Sequence, residues 1–331
     1  MTETMILVII VVAAALIFDF FNGFHDAANA IATIVITKTL TPGQAVILAG
    51  FANFAGYFTF GVAVAKTIGK GVVQLDSITL PLILAALLGA IIWNIITWLM
   101  GLPTSSSHAL VGGLIGAGLA SSGLKAIVLS GVLKIVAFIF VAPLFGMIGS
   151  MIFTTIIIHI FKKTSPKKAT GIFKKLQLVS ATAYSVSHGT NDAQKSMGII
   201  AMALVAGGIN KDFHLDSWVV ISCYSAIGLG TMFGGWRIVK TMGTKITRIR
   251  PLEGFCAETS SAMVLLGASH FGIPVSTTHV ISGSIMGVGA VENAATVRWV
   301  TARKILWAWI LTIPFTALCA ALSYAILTLF I

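Results

Sequence analysis

Long apolar runs separated by short polar, basic patches set the pattern of this chain. Gln44–Ala65, Leu80–Leu102, Ile135–Ile158, Ser217–Trp236 and Ile305–Ile331 are charge-free or nearly so. Each reaches the roughly 20 residues that a membrane-crossing helix needs. Met5–Phe18 is shorter, but it runs past Asp19 into further apolar sequence. Glu3 precedes it where a secretory leader would carry a basic cluster, so it reads as part of the mature chain. The runs are continuous and do not alternate every second residue. That pattern predicts helices and excludes a lipid-facing barrel.

The polar breaks are as informative. Lys162, Lys163, Lys167, Lys168, Lys174 and Lys175 fill a central linker, Arg237, Lys240, Lys245, Arg248 and Arg250 a second loop, and Arg298, Arg303 and Lys304 a third. Basic loops mark the cytoplasmic side of a membrane protein. The expectation is both termini outside and the linker cytoplasmic, in the inner (plasma) membrane. The linker, residues 161–176, separates two halves, 1–160 and 177–331.

The halves repeat each other. Gly23-Phe24-His25-Asp26-Ala27-Ala28-Asn29-Ala30 matches Gly189-Thr190-Asn191-Asp192-Ala193-Gln194-Lys195-Ser196. Leu102-Pro103-Thr104-Ser105-Ser106-Ser107-His108 matches Ile273-Pro274-Val275-Ser276-Thr277-Thr278-His279. The order is the same in both halves, and a glycine follows four residues after each histidine, Gly112 and Gly283. Each half then reads as two crossings, a hairpin around the Pro-Ser/Thr turn, and one long crossing. An odd number of crossings makes the repeats inverted, the usual build of secondary transporters. The predicted fold is an all-α integral membrane protein of two inverted-topology repeats, each with long or broken helices and a re-entrant helical hairpin.

Composition agrees. Of 331 residues, 57% are hydrophobic and 9% charged, against roughly 25% charged in soluble domains. The net charge of +11 belongs to the loops, so it reports topology and a lipid bilayer as partner, not nucleic acid. Cys223, Cys256 and Cys319 lie far apart and read as packed thiols without a role.

Four carboxylates interrupt the apolar segments: Asp19, Asp26, Asp192 and Glu258. A charge there is costly and faces a cavity, a partner or an ion. Asp26 and Asp192 match across the repeats. Asn22 and Asn29 flank the first, and Asn191 and Gln194 flank the second. Such oxygen donors suit a hard cation such as sodium, placed here at Asp26, Asn29 and Asp192. Gly23 and Gly189 are expected to let the helices break and turn carbonyls inward, with close helix packing as the plainer alternative. The hydroxyls Ser105, Ser106, Ser107, Ser276, Thr277 and Thr278 open half-helices whose free N–H groups attract an oxyanion. Simple N-capping is the alternative there. His25, His108 and His279 stand beside these groups as supporting residues, bonding the anion or holding the hairpin tips. A Ser107–His108 hydrolase is a poor reading, since no G-x-S-x-G elbow is present and hydrolysis needs no duplicated site.

Through Asn22–Ala32 (NGFHDAANAIA), His188–Gly198 (HGTNDAQKSMG), Pro103–His108 (PTSSSH) and Pro274–His279 (PVSTTH), the chain resembles the inorganic phosphate transporter family, in its bacterial branch. The resemblance covers both repeats. It implies symport of inorganic phosphate with sodium or, second, protons, by alternating access, often as a homodimer. Sodium ions would be coupling ions and there would be no other cofactor. By motif match Asp26, Asn29, Asn191, Asp192, Gln194 and Glu258 would serve the cation, and the six hydroxyl residues the phosphate. Some members of the family move a metal–phosphate complex, and one branch moves sulfate. The repeats are not perfectly symmetric: Lys195 stands where the first half supplies an amide, so the two cation sites are not expected to be equivalent.

Overall fold

The computed structural model describes residues 2–59 and 62–330. Residues 60 and 61, within the expected Gln44–Ala65 span, and the final residue of the last span lie outside the described residues. Twelve helices follow in order among those described: α1 (Thr2–Ile36), α2 (Pro42–Ala55), α3 (Ala63–Gly71), α4 (Leu80–Met100), α5 (Ser106–Ser122), α6 (Leu129–Phe161), α7 (Pro166–Ala206), α8 (Ser217–Phe233), α9 (Trp236–Thr244), α10 (Pro251–His270), α11 (Thr277–Glu292) and α12 (Trp299–Leu327). The first six recur as the second six, type for type. α2 turns into α3 at 87°, and α8 into α9 at 72°. The hairpins α4–α5 and α10–α11 turn at Gly101 and Gly272, both at φ +65°, a conformation that a Cβ disfavours. Pro103 and Pro274 follow two residues later and keep the chain extended. α6 and α12 carry internal prolines, Pro143 and Pro314.

Among the described residues, five helices are long and apolar enough to cross a membrane, or up to seven if each bent pair is one span. The molecule is inside-out relative to a water-soluble protein. Phe140, Leu144, Phe145, Ile148, Ile152 and Ile156 line an exposed face of α6, while Asp19, Asp26, Asp192, Lys195 and Glu258 are buried. That arrangement fits a lipid solvent, which tolerates bare apolar side chains but leaves polar groups to find partners inside.

Two apolar clusters hold the bundle. α1 contributes Val8, Val11, Ala15 and Phe18 to one and Ala28, Ile31 and Ile34 to the other. α7 contributes Ala181 and Tyr184 to the second and Ala193, Met197 and Ile200 to the first. The two helices therefore pass between the clusters in opposite senses. The polar residues of both motifs fall where one cluster gives way to the other.

Three expectations need correction. α1 and α7 run unbroken through Gly23 and Gly189. A Cβ on Gly23 would meet the backbone of Ile227 in α8, and one on Gly189 the backbone of Asn53 in α2. These glycines serve close helix packing across the halves, and the bends occur at α2–α3 and α8–α9 instead. The central linker is mostly helix: only Lys162–Ser165 separate α6 from α7, and Pro166 opens α7, where a proline at the first position costs no hydrogen bond. Arg237 and Lys240 of the expected second loop likewise lie within α9.

Each half's last helix packs chiefly on the other half's hairpin, α6 on α11 and α12 on α5. The contacts correspond. Cβ atoms on Gly283 and Gly287 would strike Pro143 and Met147, and those on Gly112 and Gly116 would strike Ile313 and Ala317.

Candidate functional site

The motifs of both halves meet at the centre. α1 brings Asp26, α7 brings Asp192, and the starts of α5 and α11 bring the hydroxyls. All six hydroxyl residues and both aspartates are buried. Ser105 and Ser276 are N-caps, their hydroxyls accepting from the N–H of His108 (3.1 Å) and His279 (3.3 Å). For these two residues the capping alternative describes the bonding.

The next hydroxyls reach the carboxylates. Ser106 Oγ lies 2.5 Å from Asn22 Oδ1 and 3.1 Å from Asp26 Oδ2. Thr277 Oγ1 lies 3.3 Å from Asp26 Oδ2 and 3.1 Å from Asp192 Oδ2. Thr277 has one hydroxyl proton to share between the two carboxylates, and Ser106 has one to share between Asn22 and Asp26. The third hydroxyls cross between halves. Asn29 donates to Thr278 (2.8 Å), and the Lys195 ammonium donates to Ser107, to Asp192 Oδ1 and to the Val275 carbonyl at 3.1 Å.

His188 closes the cluster, and the sequence reading did not assign it a role. Asn53 donates to Thr231 (2.7 Å), which turns its carbonyl oxygen to accept from His188 Nδ1 (2.9 Å). His188 Nε2 then faces Asp192 Oδ2 at 3.2 Å and Asp26 Oδ2 at 4.0 Å. Asp26, His188 and Asp192 offer ligand atoms all within 4.8 Å of one another. A proton on Nε2 or a cation between the three would offset the paired carboxylates. The signal was available: His188 stands four residues before Asp192, as Asn22 stands before Asp26. Tyr184, one turn earlier, lies parallel to the His188 ring.

Apart from His25, the other expected residues stand away from the Asp26 and Asp192 carboxylates. His25 Nδ1 donates to Asp26 Oδ1 (2.9 Å), and its Nε2 lies 3.2 Å from the Thr97 hydroxyl. Asn191 donates to Ser269 (3.0 Å). Gln194 turns away, its carbonyl accepting from the N–H of Val64 (3.0 Å) at the start of α3. Glu258 accepts from Gln177 (3.0 Å) and Ser180 (2.5 Å). His108 and His279 meet edge to face, centroids 4.6 Å apart, and His279 stacks on Trp309 at 3.8 Å. His279 also contacts the Ile139 carbonyl (3.3 Å). These contacts are those of residues that hold hairpin tips. Asp19 is fully buried, and its oxygens accept no hydrogen bond among the described residues. Cys223 and Cys256 are buried, and all three cysteines are free thiols.

Comparison with known proteins bears on what this arrangement does. Residues 22–320 match the phosphate transporter family. A protein of Rhizobium meliloti (strain 1021) described as a probable low-affinity inorganic phosphate transporter is 51% identical, covering 95% of this chain and 94% of its own. One of Bacillus subtilis (strain 168) with the same description is 46% identical, covering 98% of both. Among solved structures, one titled the sodium-dependent phosphate transporter superposes with a TM-score of 0.90 at 27% identity, covering 98% of this chain and all of that one.

Proposed function

The chain belongs to the phosphate transporter family, a family of multi-pass membrane transporters and not of enzymes, and from that premise we propose that it imports inorganic phosphate by symport with a cation, sodium before protons, through alternating access. The observation that carries the substrate is the meeting of hydroxyls and carboxylates. Asp26 Oδ2 lies 3.1 Å and 3.3 Å from the Ser106 and Thr277 hydroxyls. An oxyanion accepting from those hydroxyls and the helix N-termini beside them is within reach of an ionised acceptor. Protonated phosphate can donate to it and sulfate cannot, which favours phosphate over a sulfate permease on the same scaffold.

The same geometry gives the reason for coupling. Unit charges 4 Å apart interact by about 4 kcal/mol at an effective dielectric of 20, so buried carboxylates repel an incoming anion. A cation at the Asp26, Asn29 and Asp192 cluster, bound first, removes that penalty. Sodium is a substrate in this scheme, and the oxygen-rich donors and the sodium-dependent structural neighbour support it. The opposite senses of α1 and α7 support inverted repeats with the site at their junction. A cavity of about 490 Å³ lined by Lys38, Arg248, Arg250 and Arg298 lies on the side that the basic segments assign to the cytoplasm. There it would attract the anion. The reading carries a homodimer in the inner (plasma) membrane with both termini outside.

The test is uptake of labelled phosphate into liposomes containing only this protein, under inward sodium, inward proton and no gradient, with excess sulfate as competitor. Sodium-driven uptake that sulfate leaves unchanged is the expected result. Proton-driven uptake would replace the coupling ion. Gradient-independent flux would mean a channel, and block by sulfate would mean the wrong substrate.

A further inference from the structure

The two aspartate motifs are built alike but charged differently. Asn29 stands three residues after Asp26, and Lys195 three after Asp192. Each reaches across to the third hydroxyl of the other half's hairpin, Asn29 to Thr278 and Lys195 to Ser107. The side chains hold corresponding places, yet one is a neutral amide and the other an ammonium.

What surrounds that ammonium is the donor set of a hard-cation site: a carboxylate oxygen of Asp192, the Ser107 hydroxyl and the Val275 carbonyl. Lys195 is 1% exposed, with its aliphatic stem among the helices and its charge at the centre. A buried ammonium is held only where a charge and further acceptors meet it, and here it has three. The opposite half has no such charge. Asp26 is met by Ser106, Thr277, His25 and, at 4.0 Å, His188, none of them a permanent cation.

We propose that the Lys195 ammonium is a tethered cation standing in the second-half ion site, so that the mobile coupling cation binds only in the first half, at Asp26. The proposal rests on the symport reading above, narrows its cation cluster to the Asp26 and Asn29 side because Lys195 already meets Asp192, and sets its stoichiometry. Asp192 stays neutralised through the cycle by a charge that cannot leave. The gradient is tapped through Asp26 alone, and one fewer cation crosses with each phosphate than two equal sites would carry.

The test counts ions bound to purified protein in detergent, by equilibrium dialysis against labelled sodium and labelled phosphate. Lys195→Asn copies Asn29 and is expected to bind one more sodium per protomer than the wild type. Asp192→Asn combined with Lys195→Asn removes the charge pair whole and should return to the wild-type count. Lys195→Arg keeps a fixed charge and should gain none. If the asparagine variant does not yield a monodisperse protein, Lys195→Gln replaces it. An unchanged sodium count in a folded variant overturns the proposal, as does a gain in the arginine variant. Loss of phosphate with no gain of sodium would assign Lys195 to the anion and overturn it too. A wild type that binds no phosphate would sink the transport reading instead, and the difference in sodium counts would still judge the tether.

Discussion

Substituting Asp26→Asn tests why the site would prefer phosphate to sulfate. Asp26 Oδ2 is 3.1 Å and 3.3 Å from two hairpin hydroxyls, so an anion held by those hydroxyls has one oxygen close to it. Asp192 is already met by Lys195, which leaves Asp26 as the acceptor without a fixed counter-charge. A hydrogen bond to a charged group contributes about 1.5–3 kcal/mol. Phosphate can make that bond and sulfate cannot, and 1.4 kcal/mol is about tenfold. Asp26 alone then contributes roughly 10- to 150-fold of preference. The asparagine amide can donate to either anion, so the variant is expected to bind both weakly and nearly alike. The assay is equilibrium displacement of labelled phosphate by unlabelled phosphate or sulfate from purified protein. A variant that still binds phosphate and keeps the wild-type preference would refute the reasoning, because discrimination would then reside elsewhere.

Two further outcomes follow from the packing and the topology. Gly189→Val would press a side chain onto the Asn53 backbone. Overpacking of this kind costs about 1–3 kcal/mol, read as a lowered melting temperature in detergent, whereas an unchanged value would deny the close approach of α7 to α2. Single cysteines at Ser165 and Asn210, at the two ends of α7, should react with a membrane-impermeant thiol reagent from opposite sides, Ser165 from the cytoplasm. The native thiols are buried or half-buried and give a low background. Labelling of both from one side would refute the crossing of α7, and labelling at Ser165 from outside would reverse its orientation.

The hairpins and the duplicated motifs were legible because their signals are local. A Pro-Ser/Thr turn flanked by apolar runs names its own helix start, and Ser105 and Ser276 cap α5 and α11 as their types predict. The unbroken course of α1 and α7 was not legible. A glycine before an aspartate reads alike whether it breaks a helix or admits a neighbour, and only the Ile227 and Asn53 backbones decide which. The helical start of α7 was hidden by its lysines, which suit a loop and a water-facing helix equally. Gln194 matches the motif by position, but its carbonyl is taken by the N–H of Val64, a tertiary partner that spacing cannot reveal. His188 was within reach of the repeat register, although its contact with both aspartates depends on the Asn53 orientation fixed by Thr231.

The exchange of last helices has a consequence for how the chain is made. When α5 is made, the surface that Gly112 and Gly116 open for α12 has no protein mate yet, because α12 begins only at Trp299. α6 likewise waits for α11. The first half therefore stays unfinished until α11 and then α12 have been made. Cutting the chain at Lys162–Ser165 would yield two pieces that are each short of one wall, and that become whole only in each other's company.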